Sequence, residues 1–459
     1  MIEKQRIAEL NRGAVRQDGA YVLYWMQQSQ RARFNHALEY AVEQANAMAK
    51  PVVVVFGITQ KYPNANVRHY KFMLEGLGKT AKDIERRGAK FVVKLIEPNE
   101  AAAQLAKKAC MVVTDKSYLK PGRAWRTQAA KEIACRLVEV DTDMVVPMEE
   151  ASDKEEFSAG TIRPKILRQL DAYLVAVRHA KIKVSANNLM LGPAFDIEDV
   201  DKALSKMKID ASAGPVEGFI GGADEAARHL GEFIEHRLGV YAQKRNDPNL
   251  NVLSNMSPYL HFGQISALEI ALEVMAVKGC AEGKKAYLEE LLVRREVAAN
   301  FCYYNRDYDN YKSVPGWAKV TLEFHKKDKR PNLFTFEQLE RGLTYDPYWN
   351  AAQWEMVYGG KMHGYMRMYW GKKIIEWTKR PEEAFDIAVR LNDKYELDGR
   401  DANGYTGVAW CFGKHDRAWA NRAVFGKVRY MNDRGLERKC DAKAYVKKIE
   451  RMKNELGVI

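Results

Sequence analysis

PVVVVFGI, residues 51–58, is an apolar run of strand length that is rich in β-branched side chains. Residues 52–56 form the strand within this run, and similar apolar runs occur at 20–25, 91–95, 111–114 and 137–140. Helix-length segments, such as 31–49 and 69–87, separate these runs. Short apolar strands that alternate with helices predict a parallel sheet covered on both faces. The first part of the chain is therefore predicted to be a doubly wound α/β domain.

The pattern of residue types changes twice further along the chain. Glycine and proline pairs such as Gly192-Pro193 and Gly221-Gly222 interrupt the middle segment, which predicts irregular structure. Helical periodicity follows, and Leu230, Phe233 and Ile234 fall on one face of a helix. The predicted organisation is an α/β domain at 1–183, an interdomain connector at 184–223 and an all-α domain at 224–459.

Composition and charge restrict the functional classes. The chain has 459 residues, of which 47% are apolar and 29% charged, so neither a disordered chain nor a mini-protein is expected. No apolar run approaches the roughly 18 residues that cross a bilayer, and residues 1–6 contain no apolar signal core. A cytoplasmic location without membrane attachment is therefore expected. The net charge of +13 indicates either a polyanionic partner, most often nucleic acid, or simply a basic enzyme.

Basic and aromatic residues concentrate near the end of the chain. Seven of the nine tryptophans follow residue 316, and residues 414–439 contain eight Lys or Arg against three acids, a net charge of +5. This mixture suits a surface that binds phosphates and stacks on bases. The alternative is a solvated helical face above tryptophans of an ordinary core.

Motifs for other ligands are absent from the sequence. None of the six cysteines is spaced as CxxC, and neither His363 nor His415 has partners at metal-ligand spacing, so no metal site is predicted. The segment 76–80, GLGKT, resembles the end of a P-loop but has Met73 where the motif requires glycine. No GxGxxG follows a predicted strand, which argues against a standard dinucleotide fold.

Several long motifs occur in one order along essentially the whole chain. They are TIRPK at 161–165, RNDP at 245–248, LSNMSPYLHFGQIS at 253–266, NFCYYN at 300–305, KMHGYMRMYW at 361–370 and YELDGRD at 395–401. The stretch 245–266 resembles the flavin-binding signature of the photolyase/cryptochrome superfamily. The other motifs resemble those of class II cyclobutane pyrimidine dimer photolyases.

The resemblance implies a light-driven DNA repair enzyme. Fully reduced FAD would give an electron to a pyrimidine dimer flipped out of double-stranded DNA, and the electron would return after the cyclobutane ring splits. A monomer is expected, and the α/β domain would hold an antenna chromophore of unknown identity or none. The rivals are a cryptochrome-type photoreceptor on the same fold and a light-independent nucleic-acid-binding protein. Glu290, the lesion-site tryptophans and the absence of a signalling tail before Ile459 favour repair.

The resemblance also implies which residues bind the flavin: Tyr241, Leu253, Ser254, Asn255, Met256, Ser257, Arg367, Asn392, Asp398 and Asn403. Arg367 and Asp398 are expected to form an ion pair beside the isoalloxazine ring, where the cation would stabilise anionic reduced flavin. Asn392 is expected to face flavin N5, with Asn403 as the second candidate. Small side chains at 254–257 suit a diphosphate, although they also suit an ordinary helix entry.

Catalytic and DNA-contacting residues follow from the same motifs. Glu290 is expected to be buried and neutral and to hydrogen-bond the dimer, and Glu289 to be a surface charge. Trp370 and Trp377 lie seven residues apart, on one helix face, and with Trp349 resemble an electron-transfer chain, although such spacing is also typical of a core. The expected lesion and DNA contacts are Arg245, Asn246, Arg294, Met368, Trp410, Arg417, Trp419 and Arg429. Some relatives have tryptophan at the position of Arg294.

Overall fold

The N-terminal part of the chain forms one six-stranded sheet. The computed structural model describes residues 1–457. The strands are β1 (Ile7–Glu9), β2 (Tyr21–Trp25), β3 (Val52–Gly57), β4 (Lys90–Lys94), β5 (Ala109–Asp115) and β6 (Arg136–Val140). Their order is β1-β6-β5-β2-β3-β4, and all pairs are parallel except β1 with β6. The five parallel strands were predicted; β1 was not, because three residues are too few to give a periodic signal.

The valine run of β3 is buried on both faces. Val52, Val54 and Phe56 belong to one apolar core and Val53 and Val55 to another. Successive side chains of a strand point to opposite faces of the sheet, so a continuous apolar run requires helices on both sides.

Seven helices accompany this sheet and the segment after it: α1 (His36–Ala47), α2 (Val67–Arg86), α3 (Pro98–Ala106), α4 (Lys120–Glu132), α5 (Met148–Ala151), α6 (Ala159–Tyr173) and α7 (Val200–Ser205). Asn35 and Asn66 cap α1 and α2 by accepting backbone N–H groups of the first turn. The predicted connector, 184–223, contains α7 and packs Ile197 and Met207 into a core of the sheet domain.

The second part of the chain is helical, as predicted. Its helices are α8 (Ala223–His236), α9 (Leu238–Lys244), α10 (Ser257–His261), α11 (Ala267–Ala276), α12 (Ala281–Leu288), α13 (Arg295–Tyr304), α14 (Gly316–His325), α15 (Phe336–Glu340), α16 (Pro347–Gly359), α17 (Gly364–Trp377), α18 (Pro381–Tyr395), α19 (Ala402–Cys411), α20 (Asp433–Glu437) and α21 (Ala442–Glu455). A π-helical turn, Glu289–Arg294, joins α12 to α13, and short 3₁₀ turns occur at Lys4–Arg6 and Tyr311–Ser313. In residues 1–457, no helix is both long and apolar enough to cross a membrane.

Buried polar contacts join the two domains. Arg31 donates to Asp143 Oδ1 at 3.0 Å and to the carbonyl of Gly263 at 3.1 Å. Gly263 has a φ of +63°, and a Cβ there would lie 1.9 Å from the carbonyl oxygen of Gln28. Only glycine permits this approach of the two backbones. The sheet domain and the helical domain therefore share an interface that fixes the site between them.

Candidate active site and nucleic-acid interface

The segment 253–257 forms a polar turn at the start of α10. Asn255 lies in the left-handed region, with a φ of +57°. Ser254 Oγ accepts from the Tyr287 hydroxyl at 3.0 Å, and Ser257 Oγ accepts from Lys361 Nζ at 2.8 Å. Two hydroxyls beside a lysine suit an anionic group such as a diphosphate.

Apolar residues flank this turn. Met256 is buried and Leu253 half-buried in the core that also contains Tyr241. The Tyr241 ring packs edge-on against Phe233, with 5.4 Å between centroids, and against Tyr287 at the same distance. The turn that was predicted to bind flavin is thus held by a rigid aromatic cluster.

Arg367 on α17 faces two carboxyl groups. Its Nη2 lies 3.0 Å from Glu396 Oε1 and 3.8 Å from Asp398 Oδ1. The predicted Arg367–Asp398 pair is therefore the looser of the two, and the closer partner, Glu396, was not predicted. The backbone N–H of Met362 also donates to Glu396 Oε1, at 3.0 Å, which holds that carboxyl in place.

The two carboxyl groups differ in protonation. Burial raises the pKa of Glu396 to about 8, so this side chain favours the neutral form. Burial opposes ionisation of Asp398 as well, but the charges of Arg367 and Lys361 outweigh it and hold the pKa of Asp398 well below its usual range. With Glu396 protonated, Arg367 and Lys361 face the ionised Asp398, and the charge of Asp401 also acts on Arg367. The two cations of the pocket can pair with an anionic group of a ligand.

Four buried polar atoms around this pocket make no hydrogen bond within residues 1–457. They are His363 Nε2, Arg367 Nε, Glu396 Oε2 and Asp398 Oδ1. A protonated Glu396 can donate to Asp398, so these two carboxyl groups can satisfy each other. Arg367 Nε remains a buried donor without a partner, which is rare in folded proteins and indicates a missing ligand acceptor. This free guanidinium donor fits an acceptor atom of a polar heterocycle such as the isoalloxazine of FAD.

The two asparagine candidates have different environments. Asn392 on α18 is buried, and a Cβ at Gly404 would lie 2.9 Å from its Nδ2, so glycine leaves room for this amide. Asn403 is exposed, and both its backbone N–H and its Nδ2 donate to Asp401 at the start of α19. Asn403 thus serves a helix cap, whereas Asn392 has one long side-chain bond, 3.4 Å, to Asp393.

The three tryptophans of the predicted chain are buried and in contact. Trp349 stacks parallel to Trp370, with 6.2 Å between ring centroids and 6° between planes, and meets Trp377 edge-on at 5.4 Å. Trp349 on α16 therefore lies between the two tryptophans of α17. Trp377 Nε1 donates to the hydroxyl of Tyr345 at 3.3 Å, and Tyr345 is 56% exposed. The rings are core residues and at the same time form a continuous aromatic path toward the surface.

Glu290 differs from its expected environment. Its side chain is 39% exposed, and Oε1 accepts from Arg245 Nη1 at 2.6 Å, so in this chain it is an ion-paired carboxylate rather than a buried neutral acid. Glu289, predicted to be a plain surface charge, accepts two hydrogen bonds from Arg163 on α6. Both differences arise in the π-helical turn, which changes the direction of each side chain relative to an α-helix.

Arginine and tryptophan side chains interleave in the basic stretch. The Arg429 guanidinium lies 4.2 Å from the centroid of Trp419 and 5.4 Å from that of Trp410, and Asp416 accepts from its Nε and Nη2. Arg417 lies 5.3 Å from the Trp419 ring. Arg429 is therefore already paired with a carboxylate, and the two rings fix the plane of its guanidinium.

The other predicted DNA contacts lie apart from this cluster along the chain. Asn246 is exposed directly after Arg245, and Met368 is half-buried on α17. Arg294 is 55% exposed at the end of the π-helical turn, where its Nε lies 3.5 Å from Glu289 Oε1.

A cavity with about 120 Å³ of space accessible to water-sized molecules opens at the carboxyl ends of β2, β3 and β5. Its walls include Gln28, Thr59 and Ser117, which follow these three strands, and the rings of Tyr62 and Trp125, whose centroids are 6.0 Å apart. The strand order reverses between β2 and β5, and ligands of doubly wound sheets bind outside such a switch point.

The far wall of this cavity belongs to the helical domain. His261 and Arg400 line it, and Arg400 donates to the carbonyl of Asp393 at 2.7 Å. Arg400 lies two residues after Asp398, so one loop contributes to both the cavity and the Arg367 pocket.

Comparison with known proteins places this architecture in a family. A family model described as DNA photolyase matches residues 22–182. A deoxyribodipyrimidine photo-lyase of Methanothermobacter thermautotrophicus is 48% identical over 455 residues, which covers 99% of this chain and 100% of that protein. Another, from Potorous tridactylus, is 39% identical and covers 97% of this chain and 84% of its own.

The chain belongs to the DNA photolyase family.

Solved structures agree on the fold. A cryptochrome of Synechocystis sp. PCC6803 superposes with a TM-score of 0.70 at 16% identity, covering 93% of this chain and 88% of that one. An archaeal photolyase from Sulfolobus tokodaii, solved with two FAD molecules, gives 0.68 at 16%, covering 93% and 89%. The predicted fold class, the photolyase family and the prediction of an enzyme are confirmed.

Several residues of this photolyase site were missed by sequence reasoning. Lys361 and Glu396 lie inside motifs that had been quoted, but a motif does not say which of its polar residues meet in space. Arg163 contacts Glu289, 126 residues away, and Tyr345 contacts Trp377, 32 residues away. No local pattern reports contacts at such separations.

Proposed function

We propose that the chain is a class II cyclobutane pyrimidine dimer photolyase that repairs double-stranded DNA with light. One helix carries this proposal. On α17, Arg367 faces the polar pocket, Trp370 belongs to the tryptophan stack, and Lys372 lies 5.3 Å from the ring of Trp410 at the basic surface. A cofactor pocket, a redox-active aromatic path and a DNA-binding surface thus meet within two turns of a helix.

The photoreceptor alternative on the same fold has less support. The relatives that are 39% and 48% identical are both named as photo-lyases, and the cryptochrome at 16% identity supports the fold alone. We also propose that the protein acts as a monomer in the cytoplasm, where it has access to DNA.

FAD is the cofactor that the pocket fits. Ser254, Ser257 and Lys361 would hold its diphosphate, and Arg367 with Asp398 would lie beside its ring. When bound and fully reduced, FAD supplies the light-driven electron that splits the dimer. The cations Arg367 and Lys361 favour an anionic group, and burial excludes water from it.

Residues of the opening would hold the lesion. The Glu290–Arg245 pair presents acceptors and donors that can hydrogen-bond a flipped dimer after exchanging partners. Trp410 and Trp419 lie close to the guanidinium of Arg429, and these flat groups can replace the stacking lost when the dimer leaves the duplex. The net charge of +13 supplies a sequence-independent attraction to phosphates.

The tryptophan stack would serve the activation of the protein. Trp370, Trp349 and Trp377 would carry an electron inward when oxidised flavin is reduced by light. Trp349 is the obligatory middle member, because its ring contacts both others.

The cavity at the carboxyl ends of the strands is proposed to hold an antenna chromophore. Its position at the switch point and its aromatic wall of Tyr62 and Trp125 support a flat conjugated ligand. The wall shared with the loop of Asp398 would bring such a ligand next to the flavin pocket. An absorption band that does not belong to flavin, lost on replacing Trp125 with alanine, would support this; a protein that binds flavin alone would contradict it.

The decisive experiment is repair in light by the flavin-loaded, chemically reduced protein. Oligothymidylate that contains dimers should regain thymine absorbance under near-ultraviolet or blue light and not in darkness. The matched control is the same protein with its flavin oxidised and an electron scavenger present. A reduced, flavin-loaded protein that binds the DNA but restores no absorbance would contradict the proposal.

A further inference from the structure

The π-helical turn Glu289–Arg294 changes which side chains can meet. In an α-helix, Glu290 and Arg294 would be neighbours four residues apart and would pair on one face. In this structure Glu290 pairs with Arg245 instead, and Arg294 lies closest to Glu289, with Nε 3.5 Å from Oε1. The turn therefore separates the predicted catalytic glutamate from the arginine that follows it.

A residue of the sheet domain, Arg163, holds the side chain of Glu289. Arg163 on α6 donates to it through Nε at 3.0 Å and through Nη2 at 2.6 Å, a two-point contact that fixes the planes of both groups. The hydrogen bonds from Arg163 also lower the pKa of Glu289, so the carboxylate stays ionised.

An apolar contact lies beneath this ion pair. Ile162 and Ile166 of α6 pack in one core with Val293 and Val297, which belong to the π-helical turn and α13. This packing sets the distance between the two segments but leaves the rotation of the turn to directional contacts. The Arg163–Glu289 pair supplies such a contact at the edge of the core.

We propose that Arg163 and Glu289 are positioning residues for DNA repair. They hold the π-helical turn in the rotation that directs Glu290 to Arg245 and the flipped lesion, and that places Arg294 at the rim. This inference rests on the proposed repair function and extends the lesion site to α6. The two side chains are 37% and 27% exposed, and an ion pair at such exposure adds little to global stability. The pair should therefore affect repair much more than folding.

The test compares single and paired replacements in the flavin-loaded, reduced protein. Arg163→Lys keeps the charge but loses the two-point contact, and Glu289→Gln keeps the shape but loses the charge. Each should lower the repair rate at saturating dimer-containing DNA by about tenfold, since small misplacements of a catalytic group cost rate. FAD content and melting temperature should stay unchanged in both variants, and so should the affinity of Arg163→Lys for undamaged duplex.

Charge exchange gives a second readout. The double variant Arg163→Glu with Glu289→Arg should recover part of the rate lost by either single exchange. The control pair is Arg228 and Glu225 on α8, an ion pair that contacts none of the site residues, and Arg228→Lys should leave repair unchanged.

The outcomes separate the two proposals. If the unaltered protein repairs and both Arg163→Lys and Glu289→Gln match its rate, the positioning role is wrong. It is also wrong if the rate falls only in proportion to lost FAD or a lower melting temperature. If the unaltered protein itself does not repair, the proposed function fails.

Discussion

Replacing Arg68 with methionine should destabilise the protein and loosen its cofactor pocket. Arg68 is buried on α2 and donates to four carbonyl groups of other segments: Gly214 at 3.0 Å, Met356 at 3.4 Å, Val357 at 2.8 Å and Tyr395 at 2.5 Å. Three of these carbonyls belong to the last turns of α16 and α18. A positive charge there also interacts favourably with the negative end of each helix dipole.

The expected loss can be worked out from these contacts. A buried carbonyl left without a partner costs about 1–3 kcal/mol, and methionine would fill the space of the stem without donating. Burial lowers the pKa of Arg68 to about 10, and removing this buried cation returns part of its desolvation cost. The net expectation is a loss of about 3–5 kcal/mol in the free energy of unfolding.

The Arg68 substitution should also weaken flavin binding. The loop of Glu396 and Asp398 begins directly after Tyr395, so freeing the end of α18 should let the loop move. Urea unfolding followed by circular dichroism and by the fluorescence of released flavin would measure both effects. Arg68→Met should release flavin at a urea concentration below that of global unfolding.

Arg87→Met is the matched control. Arg87 lies directly after the last residue of α2. It donates to Ala32, Glu39 and Ala180, which belong to the sheet domain. It should lower stability without weakening flavin affinity. If Arg68→Met retains flavin as the unaltered protein does, or loses less than about 1 kcal/mol, the proposed clamp on α16 and α18 is wrong.

Four further predictions address the site. Glu290→Ala should retain flavin and lower the repair rate by at least about tenfold through loss of a hydrogen bond to the dimer; an unchanged rate at saturating DNA would remove it from the active site. Trp349→Phe should abolish photoreduction of oxidised flavin while leaving repair by chemically reduced protein intact, and photoreduction at the normal rate would exclude the stack as the electron path. Asp416→Asn should free the charge of Arg429 to bind a phosphate. The slope of log affinity against log salt should then steepen by up to about 0.9 for intact duplex, and the preference for damaged DNA should fall. Titrations of both duplexes that show neither change would contradict this. Burial raises the pKa of Glu396 to about 8 from an ordinary 4.5, so the folded state holds a proton that the unfolded chain releases. The contribution of that proton to the stability of the flavin-free protein is complete below about pH 4.5 and is lost as pH rises through 8. Glu396→Gln should reduce that loss in urea titrations, and an unchanged pH profile would show that the group is not protonated in the fold.

Local sequence patterns determined the class of fold and the kinds of residue in the site. The valines of β3 specify a strand buried on both faces, because alternate side chains of one strand must enter two different cores. The seven-residue spacing of Trp370 and Trp377 places both on one face of α17, because about two helical turns separate them. Such inferences hold because strand and helix periodicity are properties of neighbouring residues.

Tertiary structure alone decided which of these residues meet. Trp349 comes from another helix and enters between Trp370 and Trp377, and Glu396 rather than Asp398 lies closest to Arg367. These choices depend on how segments far apart in the chain dock and on the path of one short loop. The sequence contains many arginines and carboxylates that are equally able to pair, and only packing of the two domains selects among them.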